Sequence, residues 1–298
     1  MVAPKLIVAA TILVPMTSGF AQSGFKDTCP NNAPLPFAAI EVKHPIDSTC
    51  GVQGSTSASQ NSQLQNSVKN NFCSQAPQGK PETFTLQKLI DLQAATHIPS
   101  GHNLEPKNRD ALQALGEGKV IRAKAFLIEA HHADVGSGES VNCGGTAEEQ
   151  NDVHVALGTQ TTSKECEGAT AEISPHFRPA SWNEIGHFEK FNSSTRKYVV
   201  DPAMASRLQA HAYRITGQQF FDASHTPCPC NKANCGTNPV RATLWEIHPV
   251  YEIEVCKAGA QCNESNDADW VAFDTLWKSL APIQPVRPPH SHPAHEPH

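Results

Sequence analysis

Two acid-x-His pairs are the residues of this sequence whose types and spacing could do chemistry. Asp152 and His154 form the first pair, and Glu246 and His248 form the second. If each pair lies on a strand, its two side chains share one face and stand about 7 Å apart. Imidazole nitrogens and carboxylate oxygens are zinc ligands, and a zinc ion lowers the pKa of a bound water molecule.

A third histidine completes the set of candidate ligands, because His225 follows Asp222 just beyond a predicted strand. The predicted ligand or metal site consists of Asp152, His154, His225, Glu246 and His248. Zinc is the candidate cofactor. The rival interpretation is a hydrogen-bond network in which the same side chains contact each other or the backbone. The pairs lack the helical His-Glu-x-x-His spacing of zinc proteases, so both interpretations stay open.

The second pair lies in the longest hydrophobic alternation of the chain, residues 241–255. Alternation with period two over this length predicts a strand with one side in a core. The residues predicted to face that core are Trp245, Ile247, Tyr251, Ile253 and Val255. Pro249 cannot donate a ladder hydrogen bond and therefore predicts a bulge or an edge position. Gly217, inside the preceding predicted strand, also predicts a bulge.

This strand is the last of five predicted strands, whose order along the chain indicates a fold. The predicted strands span 120–130, 152–157, 168–174, 213–221 and 241–255, and a largely helical or irregular segment separates the third from the fourth. Three strands, a helix and two strands is the order of an OB-fold, a five-stranded Greek-key barrel. The predicted fold is therefore mainly β, an OB-like five-stranded barrel with helical N- and C-terminal additions. We expect its first–second and fourth–fifth loops to open on the same rim.

The chain divides into five predicted regions. They are a signal peptide (1–21), an N-terminal loop and helical region (22–118), the barrel (119–257), a C-terminal helix (258–285) and a disordered Pro/His-rich tail (286–298). Within the second region, residues 54–65 are predicted to form a surface loop, and helices are predicted after Thr85 and at about 109–115. The C-terminal helix would place Trp270, Phe273, Trp277 and Leu280 on one face.

Composition indicates an exported protein with an acidic surface. Lys5, an apolar run and Gly19-Phe20-Ala21 have the order of a secretory signal, and no apolar run is long enough to span a bilayer. Cleavage would remove Lys5, one of the 23 basic side chains, and leave 22 against 29 acidic ones, a net charge of −7 with histidine neutral. This balance argues against a nucleic-acid surface and favours a neutral or cationic ligand.

Ten cysteines beyond the cleavage site fit disulfides in a secreted or periplasmic protein. The disulfide candidates are Cys50, Cys73, Cys143, Cys166, Cys228, Cys230, Cys235 and Cys256. Cys50 and Cys73 flank the predicted surface loop and could close it. Barrel geometry would place Cys143 near the Cys228, Cys230 and Cys235 group on one rim, and Cys166 near Cys256 on the other.

Four segments resemble a group of secreted bacterial proteins of uncharacterised activity. They are Asp-Val-His at 152–154, Ala-Glu-Ile-Ser-Pro at 171–175, residues 216–222 with His225, and 241–250, which contains Trp-Glu-Ile-His-Pro-Val. The resemblance covers roughly 120–255 and implies a shared barrel-like domain, but no activity. Members of the group often carry Cys-Asn-Cys where this chain has Val141-Asn142-Cys143, so a role for the first cysteine is missing.

Two functions follow from these observations as hypotheses. The leading one is a secreted binding or interaction protein that uses the barrel rim, with a small molecule or an oligosaccharide favoured over a nucleic acid as its ligand. The alternative is a zinc-dependent hydrolase, similar to a phosphodiesterase or a nuclease, which uses the predicted ligand set. No Ser/His/Asp or Cys/His nucleophile pattern is visible in the sequence, so no catalytic residue is assigned.

The signal-peptide prediction can be tested on exported material. We expect the mature protein to begin at Gln22, because the small-residue cleavage site ends at Ala21. Intact mass or N-terminal sequencing of the exported protein measures this directly. Retention of residues 1–21 would contradict the predicted secretion.

Overall fold

The computed structural model describes residues 44–70, 81–98, 104–133, 135–176, 178–195, 197–228 and 241–279. The predicted signal peptide, Cys73, Cys230, Cys235, Leu280 and the Pro/His-rich tail lie outside the described residues. Within those ranges, every helix is too short or too polar to cross a membrane.

The described elements are five helices and nine strands. The helices are α1 (Gln60–Lys69), α2 (Leu86–Ala95), α3 (Pro106–Ala114), α4 (Pro202–Gln209) and α5 (Phe273–Ser279). The strands are β1 (Glu82–Thr83), β2 (Val120–His132), β3 (Val153–Gly158), β4 (Ala169–Ile173), β5 (Glu189–Asn192), β6 (Lys197–Val200), β7 (Ala212–Phe221), β8 (Trp245–Cys256) and β9 (Trp270–Ala272). A 3₁₀ segment, Ala180–Phe188, follows β4.

Five of the strands close into a barrel in the order β2-β3-β4-β8-β7, and β7 pairs with β2. β4 and β8 run parallel, and the other neighbours in the barrel are antiparallel. If the five barrel strands are numbered 1 to 5 along the chain, their order around the barrel is 1-2-3-5-4, and the third and fifth strands are parallel. The predicted mainly β fold, an OB-like barrel with helical additions, is confirmed.

The barrel interior takes one face of each alternating strand. Val153, Val155 and Leu157 of β3 belong to the hydrophobic core, and so does Trp245 of β8, which is completely buried. The pairing of β7 with β8 shifts on both sides of Gly217, next to Pro249, so the predicted bulges are confirmed. At the bulge Val250, which strict alternation places on the polar face, joins the core cluster, while Tyr251 is buried outside that cluster.

A bulge in β2 has a direct consequence for the site. Leu127 pairs with Leu157, but the next paired residue is Glu129, opposite Ala156. One residue of β2 therefore has no partner on β3. An extra residue reverses which side chains face inward from that point. Ala130 therefore enters the core, and His131 turns to the outer face beside His154.

The described part of the N-terminal region contains more helix than predicted. Thr85 caps α2 as expected, by accepting a hydrogen bond from Lys88 N. The predicted surface loop at 54–65 is partly wrong, because α1 begins at Gln60 with Ser59 as its N-cap. The side chains that α1 buries are mostly polar, so it has no apolar periodicity to reveal it.

Two other predicted segments are divided differently in the structure. The region between β4 and β7 contains a two-stranded sheet, β5–β6, as well as the 3₁₀ segment and α4. The predicted C-terminal helix is divided, because Trp270 lies on β9, which pairs with β8, and among the described residues of this segment α5 is the α-helical part. The short runs that form these strands are too brief to show a clear period.

Disulfides join every cysteine in the described ranges, but not in the predicted pairs. Cys50 pairs with Cys143, Cys166 with Cys228 and Cys256 with Cys262, at Cα separations of 5.6, 5.7 and 5.6 Å. The predicted Cys50–Cys73 closure, the Cys143 pairing with the Cys228 group and the Cys166–Cys256 pairing are therefore wrong. These disulfides are compatible with a periplasmic or extracellular protein.

The direction of β7 explains why the predicted disulfide pairs of the barrel are wrong. This strand is antiparallel to β2, so Gln218, near its end, pairs with Val120, at the start of β2. The loop after β7 therefore leaves the barrel at the end opposite the loop after β2, and the expectation of a shared rim was wrong. The loop between β3 and β4 shares that end, as the hydrogen bond from Ala242 N to Gly168 O shows.

Trp245→Ala tests the assignment of strand faces. Trp245 packs against Phe221 and donates a hydrogen bond from Nε1 to Thr96 Oγ1 at 2.8 Å. We expect its truncation to lower the free energy of unfolding by about 3–5 kcal/mol in denaturant titrations. The control Trp277→Ala removes a partly buried tryptophan and should cost clearly less. A loss below about 1 kcal/mol for Trp245→Ala would contradict the assignment.

Candidate functional site

Cross-strand register creates a polar row on the outer face of the barrel. His131 on β2 lies opposite His154 on β3, and His154 lies opposite Glu172 on β4. Ala171 pairs with Ile247 in the parallel ladder, so the next residues, Glu172 and His248, are also neighbours. Alternation directs the apolar neighbours of these residues into the core, which leaves the outer face to the polar side chains.

The N-terminal segment covers this polar row. Gln65 Nε2 of α1 donates to Asp222 Oδ1 at 3.2 Å, and Asn66 Nδ2 of α1 donates to Ser140 Oγ at 3.4 Å. Asp222 follows β7 and Ser140 lies in the loop after β2, so α1 contacts both of these segments. The Cys50–Cys143 disulfide ties the same segment to the loop.

Basic side chains neutralise one half of the buried cluster, which we name the ion-pair zone. It consists of Lys69, Asp222, Arg241 and Glu246. Arg241 contacts Glu246 and donates to Asp222 Oδ2 at 3.0 Å, while Lys69 Nζ lies 3.6 Å from the same oxygen. Burial alone would raise the pKa of Asp222, but Lys69 holds it well below its usual range.

The other half, which we name the acid–histidine site, consists of Glu139, Asp152, His154, Glu172 and His248. One ligand atom from each of Glu139, Asp152 and His154 lies within 4.8 Å of the others, and the same holds for Asp152, Glu172 and His248. His154 Nε2 is 3.7 Å from Glu139 Oε1 and 3.5 Å from Glu172 Oε1. His248 Nε2 is 3.7 Å from Asp152 Oδ2.

Several atoms of this site lack hydrogen bonds despite complete burial. Among the described residues, none makes a hydrogen bond of normal geometry to either carboxylate oxygen of Asp152 or to Glu172 Oε1. The same holds for Nε2 of His154 and Nε2 of His248. The Asn142 amide is close enough to favour the ionised form of Asp152, although burial raises the pKa of this carboxyl overall. Unsatisfied buried polar atoms are rare in proteins and call for an explanation.

The two histidines are in opposite electrostatic states. Burial lowers the pKa of His154 to about 3, so its imidazole is neutral at neutral pH and retains a lone pair. Burial would also lower the pKa of His248, but the carboxylates of Glu172 and Glu246 raise it to about 10. A metal ion at His248 Nε2 would therefore replace a proton at this position.

Carboxylates also fix the orientation of the His248 ring. Nδ1 lies 2.8 Å from Glu172 Oε2 and 3.2 Å from Glu246 Oε1, and both oxygens are acceptors. Nδ1 therefore carries a proton, and Nε2 faces the acid–histidine site. Histidine ligands of metal ions commonly have this carboxylate partner on their other nitrogen.

The structure assembles four of the five predicted ligands. Asp152, His154, Glu246 and His248 lie in one buried cluster, although Glu246 contacts Arg241 and belongs to the ion-pair zone. His225 is not part of the acid–histidine site, since its Nδ1 contacts Asp222 Oδ2 at 2.6 Å.

Sequence reasoning missed Glu172, Glu139 and Lys69. Glu172 alternates with core residues of β4 just as His154 does on β3, so the strand pattern could have identified it. Glu139 lies in a loop and Lys69 ends α1, and no local pattern connects either residue with the barrel.

Comparisons with family models, curated proteins and solved structures give no match for this chain. The nitrogen and oxygen donors of the acid–histidine site, held by strands and partly unsatisfied, are suited to hold a divalent cation.

Lys69→Met tests whether α1 neutralises the buried carboxylates. Removal of one partner from a buried ion pair leaves an uncompensated charge, so we expect a loss of about 3–5 kcal/mol in the free energy of unfolding. The control Lys88→Met breaks the exposed contact with Glu82 at 3.5 Å and should cost less than about 1 kcal/mol. Equal losses in the two variants would show that the charge of Lys69 is unimportant.

Proposed function

We propose that this protein is an exported metal-binding protein whose acid–histidine site holds a divalent cation, with zinc as the best chemical match. The observation that carries the proposal is two ligand groups that share Asp152, one with Glu139 and His154 and the other with Glu172 and His248, and the buried atoms of Asp152, Glu172, His154 and His248 that lack hydrogen bonds within the described ranges. A cation placed among them would satisfy these atoms together.

The separations of the donor atoms support this proposal. Ligands at about 2.0–2.2 Å from a tetrahedral zinc ion lie roughly 3.3–3.6 Å from one another. The contacts of His154 Nε2 with Glu172 and Glu139, and of His248 Nε2 with Asp152, measure 3.5–3.7 Å. They exceed ordinary hydrogen-bond lengths and come within a few tenths of an ångström of the spacing around zinc.

Ligand chemistry favours zinc over calcium or magnesium. Calcium and magnesium prefer sites made of oxygen atoms, whereas imidazole suits zinc and other transition metals. The neutral His154 imidazole and the carboxylate-oriented His248 are donors of the second kind. The acidic net charge of the chain also favours a cationic ligand over a polyanion.

Burial argues for an ion rather than a larger ligand, and against hydrolysis, at this site. Asp152, Glu172 and His248 are 0% exposed, and Lys69 of α1 lies 3.4 Å from Glu172 on the outer face of β4. OB-folds bind oligosaccharides on this side of the barrel, which the chain's own N-terminal segment covers here. A catalytic zinc keeps an open position, whereas a closed site is typical of structural zinc.

The rival interpretation is a metal-free network. In that case protonated His248 bridges Glu172 and Asp152, and the long contacts are loose ion pairs. Both interpretations fit the charge of the cluster, and they differ in whether zinc binds.

Zinc content in matched variants distinguishes them. The background is the full-length chain with His290, His292, His295 and His298 replaced by Gln, so that the tail contributes no ligands. We expect His154→Ala and His248→Ala each to lose about one equivalent of zinc, measured by elemental analysis after dialysis. His225→Ala is the control and should keep its zinc, because it contacts Asp222 instead.

Circular dichroism should confirm that each variant is folded before its zinc is measured. Two results would contradict the proposal. One is zinc content below about a tenth of an equivalent in the background protein after zinc is supplied. The other is equal zinc content in His154→Ala and His225→Ala.

A further inference from the structure

A second group of metal-ligating residues lies outside the acid–histidine site, beside an open groove. The groove has a volume of about 500 Å³ and is half enclosed. Its wall includes His132, Glu148, His187, Glu189, Phe191 and Tyr198. They come from the end of β2, the loop that follows it, the 3₁₀ segment and the β5–β6 sheet, and we name this feature the outer groove.

His132 is the buried member of the group, with 3% of its surface exposed. Its Nε2 lies 3.1 Å from the carbonyl oxygen of Asn183, which can only accept, so Nε2 carries the proton. Nδ1 then retains a lone pair, and it has no hydrogen-bond partner within the described ranges. Burial lowers the pKa of His132 to about 4, which keeps the ring neutral.

His187 and Glu148 face His132 from two other segments. The ring centroids of His132 and His187 are 5.4 Å apart. His187 Nε2 lies 3.2 Å from Glu148 Oε2, and its Nδ1 lies 3.4 Å from Glu184 Oε2. One ligand atom from each of His132, Glu148 and His187 lies within 4.8 Å of the other two.

We propose that His132, Glu148 and His187 form a second metal site that binds a divalent transition-metal ion and leaves coordination positions open toward the outer groove. Two imidazoles and one carboxylate are a common ligand set for zinc with an exchangeable position. Glu184, at Nδ1 of His187, supplies the carboxylate that often orients a histidine ligand.

Exposure separates this site from the acid–histidine site. Glu148 is exposed and His187 is partly exposed, so solvent and small ligands can reach them. Tyr198 and Phe191 line the groove with ring centroids 5.4 Å apart, next to the carboxylate of Glu189. A small oxygen- or nitrogen-donor ligand therefore has both an ion to coordinate and an aromatic wall to contact.

An ordinary surface ion pair is the rival explanation. It accounts for the contact between His187 and Glu148, which would contribute under about 1 kcal/mol. It does not account for the buried neutral His132, with one nitrogen fixed by Asn183 and the other without a partner in the described chain.

Cobalt titration tests the second site independently of the first. Co²⁺ is added to the full-length chain with the four tail histidines replaced by Gln, and bound metal is followed by visible absorption. We expect His187→Ala to bind one equivalent fewer than the background protein, and Glu148→Gln to weaken binding at that site at least about tenfold. His97→Ala is the control, because His97 is exposed and belongs to none of the ligand groups in the described residues.

Azide identifies the open position. Addition of azide should change the absorption of the cobalt ion that His187→Ala removes, and this change should persist in His248→Ala. The second proposal fails if His187→Ala and His97→Ala bind equal amounts of cobalt and respond equally to azide. If His248→Ala keeps all its metal while His187→Ala loses one equivalent, the proposed function fails and the second site stands.

Discussion

Burial of carboxylates on the outer wall of the barrel is the constraint on which the rest of this structure depends. Asp152, Glu172 and Glu246 are completely buried, although ionised groups lose several kilocalories per mole when they leave water. Opposite charges offset part of this cost, because Lys69 at the end of α1 contacts Glu172 and Arg241 just before β8 contacts Glu246. The N-terminal segment is therefore part of the electrostatic core rather than an appendage to the barrel.

The barrel was predictable because its interior follows simple alternation. Period-two patterns in five segments predicted the strands and placed His154 and His248 on the polar side. Alternation fails at a bulge, and the extra residue in β2 turns His131 outward, where a strict count would place it inside. A bulge in β8 likewise brings Val250 into the core cluster, where strict alternation would place it on the polar face. Bulges depend on the partner strand, so a single strand's sequence indicates them only where Gly or Pro is present.

The cover of the site was not predictable, for a different physical reason. Gln65 and Lys69 are buried by polar contacts with a polar barrel face, so α1 carries almost no hydrophobic signal. A Ser/Gln/Asn-rich segment of this kind is read as a surface loop because sequence patterns detect apolar burial. The outer groove escaped detection too, since His132, Glu148 and His187 lie on three separate segments that only the folded chain brings together.

One row of side chains connects the two groups of ligands. The His131 ring lies 5.7 Å from that of His154 in the acid–histidine site and 4.0 Å from that of Tyr198 in the outer groove. Hydrogen-bonded ladders hold the members of the row on β2, β3, β4 and β8, so the fold itself sets their spacing. At the proposed sites, ligands preorganised in this way would lose little conformational entropy when an ion binds. A single loop, between β2 and β3, supplies both Glu139, which contacts His154, and Glu148, which contacts His187, so this loop links the two groups along the chain as well.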